Sequence, residues 1–175
     1  MTTDQKSLIQ NFILRKIDFS ELERIFPSKI DEAYILEELK ALQTSRDGVT
    51  LDYLITLAYR IGFTDAIGRL LSKLLLEDWH EEHEEIARIL QFKVKIPESM
   101  DDMERAMQLK FRYLTERDNY FPFVVKCMYA IANLNTDAST SKLQALAASE
   151  DDFIRNAAQW QIDYRAGKNP AALVW

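Results

Sequence analysis

The stretch Trp79-His80-Glu81-Glu82-His83-Glu84-Glu85 gathers the only two histidines of the chain among carboxylates, a mixture of side chains able to hold a metal ion. A zinc-protease helix sets its histidines at i and i+4 with a glutamate beside them. Both imidazoles then face one ion and the carboxylate activates its water. Here the histidines stand at i and i+3, position 84 is Glu, and the reversed arrangement would need His where Trp79 stands. His80, His83 and Glu84 share a helical face, but three ligands are not assembled with a fourth in sight, and the one cysteine, Cys127, is remote in sequence. The reading is that no metal is held, with His80 capping and His83 packing at a helix start.

Other chemistry fares no better. A nucleophilic thiol needs a base and an electropositive setting, whereas Cys127 sits among Val124, Met128, Ala130 and Ile131 and reads as core. The four glycines (48, 62, 68 and 167) are scattered, so no phosphate-cradling loop exists. No carboxylate pair stands out as a general acid and base. The expectation is a protein that is not an enzyme and needs no cofactor. What remains is density: Glu77, Asp78, Glu81, Glu82, Glu84 and Glu85 crowd into residues 77–85. Helix starts favour acids through the macrodipole, but such crowding exceeds that need and marks an acidic binding surface.

The whole chain leans the same way, with 28 acidic against 22 basic side chains and a net charge of −6. Binding to a nucleic-acid backbone relies on Lys and Arg displacing counterions. The segments Lys93-Val94-Lys95 and Lys110-Phe111-Arg112 are too small and too diluted by acid for that. A basic protein partner suits the charge better.

The elements that position these residues read as helices. Only 4 Gly and 4 Pro occur in 175 residues, too few for the turns of an all-β fold. A chain of this length buries about 70% of its unfolded surface and needs no disulfide or metal. The N-terminus lacks a basic and then apolar leader pattern, and Leu70–Leu76, the most apolar stretch, is too short to span a bilayer. No membrane association is expected, and a cytoplasmic location is.

Apolar spacing predicts a first helix from about Asp4 to Ile17, through Leu8, Ile9, Phe12 and Ile13. Ser20 and Glu23 look like a capping box, Ser28 like an N-cap with Asp31 in an acidic first turn, and Asp47-Gly48 like a turn before a helix capped by Thr50. Thr64 opens the next helix, and another spans His80 to Phe92. A long helix then runs from Pro97 through Met103, Met107, Phe111 and Leu114. Helices from about Tyr120 to Leu134, from Thr136 through Leu146, and from Asp151 to Arg165 complete the chain.

Three of these helices end in an acidic turn followed by an aromatic residue: Glu77-Asp78-Trp79, Glu116-Arg117-Asp118-Asn119-Tyr120, and Glu150-Asp151-Asp152-Phe153. The aligned aspartates are spaced by 40 and 33 residues, close to the period of two-helix repeats. Units of helix A, acidic turn and helix B then cover roughly 64–92, 97–134 and 137–166. The segment Lys142–Ala158 resembles a HEAT repeat, with Leu143 and Leu146 on helix A, Asp151 in the turn, and Ile154-Arg155 and Ala158 on helix B. The segments Leu74–Ile86 and Lys126–Ala132 are similar to the HEAT-like immunity proteins of bacterial polymorphic and contact-dependent growth inhibition toxin systems.

That resemblance covers roughly residues 64 to 165. It implies an all-α, single-domain HEAT-like solenoid, a right-handed stack of antiparallel helix pairs. Residues 1–62 would form N-terminal helices packing on the repeats, 63–167 three helix pairs, and 168–175 a C-terminal tail. It also implies a function: stoichiometric binding that neutralises a cognate toxin, a basic domain such as a nuclease. The alternative is a HEAT-like adaptor or scaffold with a cellular protein partner. In a solenoid the inner helices line a concave surface. The exposed first turns of the B helices therefore supply the expected partner contacts: Glu81, Glu82, Glu85, Asn119, Tyr120, Asp151, Asp152 and Arg155. Tyr120 is the expected aromatic anchor.

Overall fold

The computed structural model describes residues 1–168, 170 and 171; Leu173, Val174 and Trp175, at the end of the expected tail, lie outside the described residues. The described residues form helices and no strand: α1 (Thr3–Ile13), α2 (Phe19–Ile25), α3 (Glu32–Ser45), α4 (Gly48–Ile61), α5 (Asp65–Leu74), α6 (His83–Phe92), α7 (Ser99–Leu109), α8 (Arg112–Glu116), α9 (Tyr120–Asn133), α10 (Asp137–Leu146) and α11 (Asp152–Arg165).

Local chemistry accounts for most of the starts. Thr64, Thr136 and Asp151 each accept a backbone N–H from the first turn of α5, α10 and α11, as their side chains foretell. Three expected caps shift. Asp18, not Ser20, caps α2; Asp31, not Ser28, caps α3; and Asp47, not Thr50, caps α4, so that Gly48 opens the helix and Thr50 is buried in it. Asp47 is fixed there by a second interaction, an ion pair with Lys6 of α1. The helix expected to begin at His80 begins at His83.

The long helix expected across residues 97–114 is broken. Lys110 adopts the left-handed region with φ of 46°, which ends α7 and lets α8 set off in a new direction. Phe111 thereby turns into the core, and its ring lies 3.8 Å from that of His83. Burying Phe111 against the imidazole offsets an unfavourable lysine backbone.

Packing joins consecutive helices and helices further apart, the most extensive pair being α6 with α9. α1 lies on α2 and α4, α3 on α4 and α5, and α5 on α6 and α7. α9 is a hub, meeting α6, α7, α8, α10 and α11, and α10 packs on α11. Polar links reinforce this packing. Asp102 of α7 accepts from Ser72 Oγ (2.6 Å) and Lys73 Nζ (2.9 Å) of α5, and Lys142 of α10 pairs with Asp101 and Glu104 of α7. One apolar core runs from Ile9 to Ala158. Cys127 is wholly inside it, and burial pushes its thiol well above the usual range. At Gly68 of α5 the side chains of Ile96 and Val94 fill the space a Cβ would take, with Ile96 Cδ1 at 2.3 Å and Val94 Cγ2 at 2.8 Å from that position, so a larger residue there would make both side chains shift.

Candidate partner-binding surface

The turn between α5 and α6 brings both histidines into the core, with His80 3% and His83 0% exposed. His80 Nδ1 accepts the Glu82 N–H (3.1 Å), so its Nε2 carries the proton and donates to the Leu74 carbonyl (2.8 Å). His83 Nε2 donates to the Glu77 carbonyl (2.8 Å), and its Nδ1 accepts from Tyr113 Oη (2.8 Å). The two rings stack with centroids 4.3 Å apart. Burial pulls the pKa of His80 down. Burial and the neighbouring His80 pull that of His83 down to about 3. Both imidazoles are neutral, and all four nitrogens are committed to hydrogen bonds. His83 packs in the core as expected, whereas His80 does not cap α6: Glu82 is the N-cap, without a side-chain cap bond, and the His80 ring holds the turn before it.

The acidic residues around this turn divide by their partners. Glu81 forms a two-pronged pair with Arg117 (2.5 and 3.0 Å). Glu84 pairs with Lys126 of α9. Glu85 accepts from Arg88 (2.7 and 2.8 Å) and from Tyr59 Oη of α4 (2.7 Å). Glu82 differs. Its backbone N–H serves His80, but its carboxylate has no hydrogen bond or ion pair among the described residues. Half-buried, and pressed by Asp52, Glu85 and Glu81, it has a pKa raised to about 7, burial being the largest cause. It stands with Asp52, Trp79 and Glu81 on a groove of about 790 Å³ where the start of α4 meets the α5–α6 turn.

The remaining expected contacts form a second group at the starts of α9 and α11. Asp151 caps α11 and pairs with Lys110 (2.7 Å). Asp152 and Arg155 pair with each other, and Arg155 also donates to the Ser149 carbonyl (2.9 Å). Asn119 is half-buried at the start of α9. Tyr120 corrects the expectation of an exposed anchor. It is buried, and its hydroxyl donates to the Met107 carbonyl (2.9 Å). The break at Lys110 brings that carbonyl within reach and sets the Lys110 ammonium over the Tyr120 ring. Among the described residues no hydrogen bond or ion pair joins this group to the one around Glu82.

The structure adds residues that periodicity did not single out. Asp52 and Tyr59 of α4 face the acids of α6 from more than two dozen residues away in sequence. Across α9 and α11, Tyr129, Trp160 and Tyr164 stand in a row, with Trp160 and Tyr164 stacked at 5.1 Å and Tyr164 58% exposed. A sequence signal existed for that pair: the two aromatics are four residues apart, off the face formed by Ile154, Ala157 and Ala158. Trp160 Nε1 donates to the Ala171 carbonyl (3.0 Å), which brings the chain after α11 back onto this row.

Comparison of the chain with protein-family models, curated proteins and solved structures returns no match. No helix among the described residues is long and apolar enough to cross a membrane.

Proposed function

We propose that this protein is an immunity protein, which binds a cognate bacterial toxin in a stoichiometric complex and blocks it without chemistry of its own. The observation that carries the reading is the Glu82 carboxylate, held unpaired beside Asp52 and Glu81 on an open groove. A fold that neutralises Glu81, Glu84 and Glu85 with its own cations yet leaves Glu82 without one, crowded and resisting ionisation, has a carboxylate whose charged form a basic partner would stabilise. The fully committed histidines and the buried Cys127 support binding over catalysis. The pairing of α3 with α4 and of α10 with α11, each two consecutive helices, supports a HEAT-like stack, with the acidic edge at the turn between α5 and α6. Nuclease domains, whose surfaces are basic, are the partners such an edge suits, and the cytoplasm, where such a toxin would act, is the matching location.

The test begins with gene order: a large secreted toxin should be encoded directly upstream. Its C-terminal domain, purified and mixed with this protein, should form a complex in fixed proportion and lose its activity. In that complex, replacing Glu81, Glu82 and Glu85 together by Gln should slow association by roughly tenfold at low salt, with the difference shrinking as salt rises. Association rates equal to wild type at both salt levels would remove this edge as the contact.

A further inference from the structure

We propose a second docking site, on the N-terminal helices, for a short acidic peptide segment bearing apolar side chains. It does not rest on the toxin reading. Between α1, the turn into α2, and α4 lies a groove of about 1050 Å³, the size of sites that enclose small ligands and short peptides. Its floor is apolar: Phe12 and Phe19 meet with ring centroids 5.6 Å apart, and Ile13 remains 40% exposed beside them. Arg15, Lys16 and Arg60 line its edge.

Charge commits the occupant. Carboxylates outnumber cations in this chain, and most of its lysines and arginines are in ion pairs. Arg15, Lys16 and Arg60 have none among the described residues; Arg60 only lies over the Phe12 ring, at 5.1 Å. The two carboxylates in the groove are already used. Asp18 accepts the Glu21 N–H (2.8 Å) as the cap of α2, and Glu21 accepts from Arg24 (3.3 Å). Three cations without an ion pair among the described residues outweigh Asp18 and Glu21 in the same lining. This local positive excess beside apolar side chains, on a molecule of net charge −6, favours an anion that carries apolar groups. It also favours a short one. A nucleic acid extending past the groove would enter the repulsive field of the rest of the surface, with only three cations to displace its counterions.

Arg15 and Lys16 also follow the C-terminal end of α1, where cations stabilise the helix dipole, and the experiment separates that role from binding. A panel of short fluorescein-labelled peptides alternating Asp or Glu with Leu or Phe is titrated into the whole protein, with anisotropy as the readout. Peptides with Ser in place of Leu and Phe, and a single-stranded oligonucleotide of equal charge, serve as comparisons. The acidic-apolar peptides should bind, move the amide resonances of Thr56 and Tyr59, and weaken as salt rises. Arg15→Gln/Lys16→Gln/Arg60→Gln should raise Kd by roughly tenfold or more, and the exposed Lys16→Gln alone should raise it less while lowering the melting temperature only slightly. No binding by any acidic-apolar peptide overturns the proposal. So do a Kd unchanged in the triple variant, which leaves the cations to the helix dipole, and tighter binding of the oligonucleotide.

Discussion

Glu82 and His83 are neighbours in the chain and opposites in setting. His83 is completely buried, with both ring nitrogens hydrogen-bonded and its charge suppressed. Glu82 is half-buried, without a side-chain partner, and crowded by like charge. A polar group whose every bond is made inside the protein has nothing left to offer a ligand, whereas one left unmatched at an open groove does. The most conspicuous motif of the sequence thus separates into a structural half and a half free to bind.

The sharpest way to break this contrast is His83→Ala. It removes a buried ring and strands both Tyr113 Oη and the Glu77 carbonyl, so the loss should be about 4 kcal/mol in urea denaturation. A loss below about 1 kcal/mol would show that the imidazole is not the structural half.

Acid should act on the two residues with opposite sign. The pKa of His83 is lowered in the folded state, so its contribution is complete above 6.5 and is lost as pH falls from there toward about 3. Between pH 6.5 and 4 that loss is about 3 kcal/mol for this one group. The pKa of Glu82 is raised, so its contribution is complete below 4.5 and is lost as pH rises through about 7. Measuring the acid limb in a Glu82→Gln background removes the opposing carboxylate and leaves the two buried histidines, and a flat limb there would contradict the neutral, buried state of both.

Glu82→Gln itself should be a gain. The variant should exceed wild type by about 1 kcal/mol at pH 8, less than the about 3 kcal/mol of full linkage because solvent still reaches the half-buried carboxylate, and match it at pH 4.5. Equal stability at both values would mean that the carboxylate is not crowded. The smallest effect belongs to the exposed pair: Arg117→Ala should cost less than about 1 kcal/mol, because Glu81 and Arg117 are well solvated.

What could be read from the sequence follows the range of the interactions involved. Caps such as Thr64 and Asp151 are local, and so were legible. The choice of Asp47 over Thr50 was not, because Lys6 on another helix helps make it. A lysine in the left-handed region carries no mark in the sequence, and the break at Lys110 is made by what Phe111 gains against His83. That break in turn carries the Met107 carbonyl to Tyr120 and buries the ring expected to be exposed. Glu81, Glu82 and Glu85 stood out by density alone. Which of them would be neutralised depended on Tyr59, Arg117 and on the folding of distant segments, and composition does not encode it.

The position of α9 as hub has a consequence in time. Its contacts reach back to α6 and α7 and forward to α10 and α11. Synthesis proceeds at about 5–20 residues per second, so some 2–8 s pass between the end of α6 at Phe92 and the end of α9 at Asn133. Throughout that interval the apolar side of α6 that will receive α9 is finished and uncovered. The newborn chain is then at its most adhesive, and a slow stretch of translation between α6 and α9 would lengthen that exposure while leaving the final structure unchanged.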